Sequence, residues 1–236
     1  MTAAGRLGVG ILGAGRVGPV LGAALAGAGH ALVGVAAVSD ASRDRAEALL
    51  PGAPRLDPPV LVERSELVLI AVPDLELPGL VRGLADVGAW VPGQLVVHTA
   101  PGSGVDVLRP AAAAGAIPLA LSPAMAFTGT SIDLARLREA WCAVTAPAPV
   151  LPIGQALAVE MGCEPIVVAE GDRPAWAAAL STVAAPLEDA VRRASGLLAG
   201  LGIDQPDRVL GPVARSALER ALVAARGVRP EPKEEA

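Results

Sequence analysis

Between an apolar run, Leu7 to Leu12, and a segment of helical periodicity, Arg16 to Ala28, stand Gly13-Ala14-Gly15-Arg16-Val17-Gly18. Three glycines at this spacing constrain the fold more than any other stretch. The first permits a tight turn out of a strand, the second lets a ligand approach the backbone, and the third lets a helix pack closely on the strand. The spacing alone is weak evidence in a chain with 27 glycines. Its context makes it specific. Val17, Val20, Leu21, Ala24, Leu25 and Ala28 recur at helical intervals, and the apolar run Ala31 to Val38 completes a strand–helix–strand unit. The free amides and partial positive charge at such a helix start suit a pyrophosphate. The unit therefore predicts a dinucleotide site.

The rest of the chain repeats the alternation. Strands are expected at Leu67–Val72, Gln94–Thr99, Pro118–Leu121, Cys142–Thr145 and Glu164–Ala169. Helices are expected at Ser42–Leu50, which Pro51-Gly52 stops, at Leu77–Leu84 and at Gln155–Met161. Strands alternating with helices imply right-handed crossovers and a mostly parallel sheet covered on both faces, a doubly wound α/β fold of Rossmann type. After Gly171 the chain becomes Ala-rich and helical, at Pro174–Ala199 and Pro212–Arg226, and Pro186 should kink or divide the first of these. The expected organisation is a dinucleotide-binding domain at 1–170, a small all-helical domain at 171–228, and a charged, proline-rich disordered tail at 229–236.

Composition excludes several classes. A net charge of −5, with arginines interspersed among acids as in Arg43-Asp44-Arg45, offers no basic face for nucleic acid. That run reads as a solvated helix face. Val17 to Ser39 is uncharged and long enough to suggest a membrane span, but its glycines and its change from helical to strand-like pattern read as a buried helix and then a strand. No signal peptide is expected. Cys142 and Cys163 stand apart without a CxxC or a nearby His, as reduced core residues of a cytoplasmic protein do, and no metal site is expected.

The cofactor site is expected to comprise Gly13, Ala14, Gly15, Arg16, Val17 and Gly18, with Ala71, Val72 and Pro73 beside the nicotinamide. Asp40 stands where NAD enzymes place a ribose-binding acid, about twenty residues past the loop. Ser39, Ser42 and Arg43 surround it, and a serine–arginine pair suits the 2′-phosphate of NADP. Alternatively Asp40 or Ser42 caps the following helix. The reading leans to NADP over NAD.

The glycine loop, Ala71-Val72-Pro73-Asp74, His98-Thr99 and Pro123-Ala124-Met125-Ala126-Phe127-Thr128-Gly129-Thr130 resemble bacterial Rossmann-like oxidoreductases that carry a C-terminal helical domain of unknown function. These are similar to the pyrroline-5-carboxylate reductase and 6-phosphogluconate dehydrogenase class. The resemblance implies an NAD(P) site, a small-molecule substrate, and a homodimer formed through the C-terminal helices. The chain departs from it at Ser122, where the family carries His. It also departs at Ala100-Pro101-Gly102, and the segment Trp176–Pro186 carries neither the His and Asn residues of the family nor the Lys–Asn pair of related dehydrogenases.

His98, at the carboxyl end of its strand, is the leading candidate for a proton donor, with Thr99 and Ser122 as helpers. It serves equally well as a hydrogen-bonded residue that shapes its loop. His30 reads as structural. Asp74 either contacts substrate or caps a helix, and Thr128, Thr130 and Ser131 are either substrate hydroxyls or turn formers. Two functions follow. One is an NAD(P)-dependent oxidoreductase acting on a small carbonyl or imine; the other is an NAD(P)-binding protein with little or no turnover.

Overall fold

The computed structural model describes residues 7–226, so the tail expected at 229–236 lies outside the described residues. The first elements are β1 (Gly8–Leu12), α1 (Gly18–Gly27), β2 (Ala31–Ala36), α2 (Asp40–Leu49), α3 (Pro58–Glu63), β3 (Leu67–Ile70), α4 (Leu77–Asp86) and β4 (Leu95–His98). There follow α5 (Arg109–Ala113), β5 (Ile117–Pro123), α6 (Ile132–Arg136), β6 (Trp141–Thr145), α7 (Leu151–Glu160), β7 (Glu164–Val167), α8 (Arg173–Gly200) and α9 (Pro206–Ala225). α3, α5 and α6 were not foreseen, because helices of five or six residues are too short to display a period.

The seven strands form one sheet in the order β2-β1-β3-β4-β5-β6-β7. Neighbours run parallel except β5 and β6, which are antiparallel. This is the mostly parallel, doubly wound sheet that the alternation implies. Its interior strands are apolar on both faces. Val9, Ile11, Leu67, Leu69, Leu95, Val97, Leu119 and Leu121 belong to one core, while Val68, Ile70 and Val96 belong to the other. Period-two alternation thus places successive side chains under different helices.

Strand order reverses at β1, which has β2 on one side and β3 on the other. In open α/β sheets a crevice opens at that point, past the carboxyl ends of the strands. β3 ends at Ile70, two residues before the apolar run does, for a physical reason. Ile70 pairs with Leu12, the last residue of β1, and Gly13 then turns away. Ala71 keeps one bond, from its amide to the Leu12 carbonyl, and Val72 has no strand opposite.

The chain divides into two compact units, one through Ala179 and the other from Leu180. The first includes the opening turns of α8; the second consists of the remainder of α8 and α9. Pro186 does not divide α8, which is continuous from Arg173 to Gly200. One missing amide is tolerated there between alanine-rich flanks of high helix propensity. Among the described residues no helix is long and apolar enough to cross a membrane. The uncharged Val17–Ser39 stretch comprises α1 and β2.

Close packing makes Gly18 irreplaceable. A Cβ there would lie 2.0 Å from the Gly13 carbonyl oxygen and 3.2 Å from both Ala71 Cβ and Ile11 Cγ2. Gly18→Ala should destabilise the first unit by about 2–3 kcal/mol in denaturant unfolding, since backbone must move. Gly27→Ala, whose Cβ would meet nothing within 4 Å, should cost nothing.

Candidate functional site

A cleft of about 310 Å³ opens where the strand order reverses. The glycine loop lines it with Gly13, Ala14 and Gly15, the end of β2 with Val38 and Ser39, and α2 with Ser42. Ala71, Val72 and Pro73 line the opposite wall. Each glycine has its own reason. Gly13 has φ +101°, and a Cβ there would sit 2.5 Å from the Ala71 carbonyl oxygen. At Gly15 a Cβ would meet nothing within 4 Å, so backbone is laid bare beside open space. No side chain caps the start of α1, which has Pro19 in its first turn, so the amides there remain for an anion.

Eight of the expected cofactor residues therefore share one cleft. Arg16, Val17, Gly18, Asp40 and Arg43 lie outside its lining. The α2 cap is Ser39 rather than Asp40 or Ser42: its Oγ accepts the Ser42 amide at 3.2 Å, and Ser42 Oγ donates to the Ser39 carbonyl at 2.7 Å. Arg43 already has partners. Its Nη1 donates to Asp40 Oδ1 at 2.5 Å and its Nη2 to the Val38 carbonyl at 2.8 Å. Arg45 was missed as part of a supposed solvated face. Its Nε donates to the Ala14 carbonyl at 3.3 Å, and its terminal nitrogens have no partner among the described residues. Helical phase carried the signal, because Arg45 is three residues past Ser42 and shares its face.

His98 and Ser122 lie on neighbouring strands, β4 and β5, and outside the cleft lining. His98 is fully buried. The Ala100 amide donates to its Nδ1 at 3.2 Å, which leaves Nε2 to donate to the Gly104 carbonyl at 2.8 Å. Burial lowers its pKa, the Gly104 bond raises it, and the nearby Arg173 charge lowers it, for a net value of about 4. His98 thus ties the loop Thr99–Gly104 to β4. Glu170 grips the loop's far end, accepting the Val105 and Asp106 amides at 2.8 and 3.0 Å. Thr99 is half-buried, with its hydroxyl 3.5 Å from the Ile70 carbonyl.

Arg173 is the residue that sequence reading passed over altogether. Its side chain is fully buried in the first turn of α8. Nε donates to Thr145 Oγ1 at 2.7 Å and Nη1 to Ser122 Oγ at 3.0 Å. Nη2 reaches the Ala120 and Ala143 carbonyls at 2.6 and 3.2 Å. These residues share one face of the β5–β6 pair, where the small Ala120 and Ala143 leave room for a guanidinium. Burial lowers the Arg173 pKa to about 10, against the pull of Cys142 and Glu170, so it stays charged near neutrality.

A third cluster lies after β5. Asp133 is buried, and its Oδ2 accepts the amides of Thr128 and Gly129 at 2.7 and 2.8 Å. Its Oδ1 accepts the Thr128 hydroxyl at 3.0 Å, with Arg136 at 3.4 Å. Burial pushes this carboxyl up, but the Gly129 and Thr128 hydrogen bonds and Arg136 outweigh it and hold it below its ordinary value. Thr128 and Thr130 hydroxyls bond each other at 2.9 Å.

Residues 2–123 match the family described as Rossmann-like domain, and residues 140–227 match a domain of unknown function, DUF2520. No curated protein matches the chain significantly. Solved structures do. A proposed NADP oxidoreductase from Bacteroides fragilis is 17% identical, with 95% of this chain and 82% of that chain covered and a TM-score of 0.74. A reductive aminase from Aspergillus terreus, in complex with NADPH and ethyl-5-oxohexanoate, is 17% identical over 94% and 76%, with a TM-score of 0.68. A 1-pyrroline-5-carboxylate reductase from Streptococcus pyogenes is 18% identical over 96% and 82%, with a TM-score of 0.66. At these identities the likeness is one of fold alone.

The buried groups have measurable consequences. Arg173→Ala strands two carbonyls and two hydroxyls in a cavity and should cost about 3–5 kcal/mol in denaturant unfolding. His98 is held neutral in the fold, so the unfolded chain binds the extra proton between its ordinary pKa of 6.5 and about 4. Stability should therefore fall as pH drops through that window, by on the order of 3 kcal/mol at most. His98→Asn should flatten that slope in unfolding measured at several pH values.

Proposed function

The chain belongs to the Rossmann-like domain family, and from that premise we propose that it is an NAD(P)-dependent oxidoreductase that uses NADP in preference to NAD and acts on a small carbonyl or imine. The observation that carries this reading is the cleft at the reversal of strand order, walled by the glycine loop and the exit of β3. Its residues fit a dinucleotide. Bare backbone at Gly15 and uncapped α1 amides suit a pyrophosphate, while Ala71, Val72 and Pro73 form the wall expected beside a nicotinamide. The bound group supplies the hydride.

Preference for NADP rests on Ser39, Ser42 and Arg45 together. Arg45, bonded to Ala14 of the cleft wall, has terminal nitrogens without a partner among the described residues, whereas Arg43 is committed to Asp40 and Val38. At the substrate end, Thr99 is the half-buried hydroxyl that would meet substrate, and His98 and Ser122 act as positioning residues. The protein is cytoplasmic in this reading, in keeping with free, buried Cys142 and Cys163. It works as a homodimer whose helices α8 and α9 cover exposed apolar side chains such as Leu197, Val213 and Leu222.

A specific observation favours a second reading, binding without turnover: two of the three polar residues expected to act on substrate, His98 and Ser122, are buried and already partnered. Nicotinamide fluorescence separates the two. NADPH should bind, and its oxidation should be seen with some member of a panel of small ketones and cyclic imines. Tight binding with no oxidation across the panel would select the second reading, and no binding would end both. Arg45→Ala should weaken NADPH about tenfold and leave NADH within about twofold, and Arg43→Ala should affect both less. Equal losses of NADPH and NADH in Arg45→Ala would refute its role at the 2′-phosphate.

A further inference from the structure

The loop between β5 and α6 takes no part in lining the cleft, yet it is built with more polar bonds than a connecting loop needs. Its turn at Thr128-Gly129 is held by one buried carboxylate, Asp133, which accepts both backbone amides on a single oxygen. Gly129 takes the left-handed φ of +79°, which lets the turn come close to another segment. That segment is the glycine loop. A Cβ at Gly129 would lie 3.1 Å from Arg16 Cα and 3.1 Å from Arg45 Cδ. Arg45 in turn bonds the Ala14 carbonyl. Arg16 is thus backed by the turn, and Ala14 is tethered by Arg45, which the turn also approaches.

We propose that Asp133 is a positioning residue for the dinucleotide: through the Thr128-Gly129 turn it braces the glycine loop in the shape that receives the pyrophosphate. The inference rests on the dinucleotide reading above and adds to it a residue remote from the cleft. The physical argument is one of preorganisation. Loop amides bind an anion well only when they are already convergent, and a loop free to spread must be ordered when the ligand arrives. Three consecutive small positions cannot hold that shape unaided, since Gly13, Ala14 and Gly15 bring no side chain larger than a methyl. The brace supplies the missing rigidity. It also accounts for the hydroxyls, because the Thr128 hydroxyl is the third donor to Asp133 and Thr130 supports it.

The test compares two probes in purified full-length protein. NADPH spans the pyrophosphate; 2′-AMP reports only the adenosine end. Asp133→Ala should weaken NADPH about tenfold while changing 2′-AMP by less than about twofold. Asp133→Asn retains one carbonyl oxygen for the two amides and should bind NADPH within about threefold of the parent chain. Gly129→Ala, strained at its φ and pressed on Arg45 as well as Arg16, should weaken both probes. Parallel loss of both probes in Asp133→Ala, or unchanged NADPH binding in a cooperatively folded Asp133→Ala, would overturn the brace. Should Asp133→Ala fail to fold, Asp133→Asn and Asp133→Glu, whose longer side chain displaces both amides, decide the matter on the same two probes. Failure of the parent chain itself to bind NADPH would sink the dinucleotide reading, a result distinct from a brace that proves idle.

Discussion

The glycine loop lies against the exit of β3 with no side chain between them, and the functional half of the molecule follows from that contact. A Cβ at Gly13 would strike the Ala71 carbonyl, and one at Gly18 would strike the carbonyl of Gly13. Because both positions are bare, α1 begins directly over the carboxyl end of β1, and its amides face the gap created where strand order reverses. The gap itself is a consequence of topology, since the chain after β1 turns to one side for β2 and to the other for β3. Sterics and topology together set the place of the cleft. Side chains then only tune what occupies it.

The other end of the sheet is organised by charge. A guanidinium buried without a carboxylate in contact costs desolvation, and such a group survives only where its hydrogen bonds are met. Arg173 meets that condition with two hydroxyls and two carbonyls spread over β5 and β6. β5 and β6 are the one antiparallel pair, and the guanidinium spans them as it fixes the first turn of α8. The same charge helps to keep His98 neutral, so the imidazole and the guanidinium can share one buried environment. Glu170, three residues before Arg173, completes the arrangement by holding the start of the turn after the β4 loop. The loop Thr99–Gly104 is thereby pinned at both ends.

What was legible in the chain follows the range of the interactions involved. The glycine loop, the buried strands and the amphipathic α4 are local patterns, and they were read correctly to within a few residues. Arg45 was legible in principle, because its partner element could be inferred from its helical phase relative to Ser42. Arg173 was not. Its partners are 28 to 53 residues away, and two of them are backbone carbonyls, which leave no mark on sequence. Asp133 lies only four or five residues from its partners, but its effect is exerted through Gly129 on Arg16, more than a hundred residues earlier. Short helices such as α6 escape periodicity for the same reason that isolated turns do. The sequence shows which residues are apolar; it does not show which polar residue will be enclosed.

Magnitude decides how His98 fits the proposed chemistry. A pKa of about 4 leaves roughly one imidazole in a thousand protonated at pH 7, a penalty near 4 kcal/mol for any route that begins from the imidazolium. Neutral, with one nitrogen accepting and the other donating to its own loop, it holds Thr99 and Ala100 at the end of β4 and has no proton to spare. In the proposed oxidoreductase the hydride belongs to the bound dinucleotide, and what this chain contributes is geometry: a braced glycine loop on one side and a stapled β4 loop on the other. Rigid loops supply orientation, which enzymes convert into rate without any acid or base of their own. The same two loops would serve a protein that only holds the dinucleotide, and for that reason turnover hinges on what approaches Thr99 rather than on the buried histidine behind it.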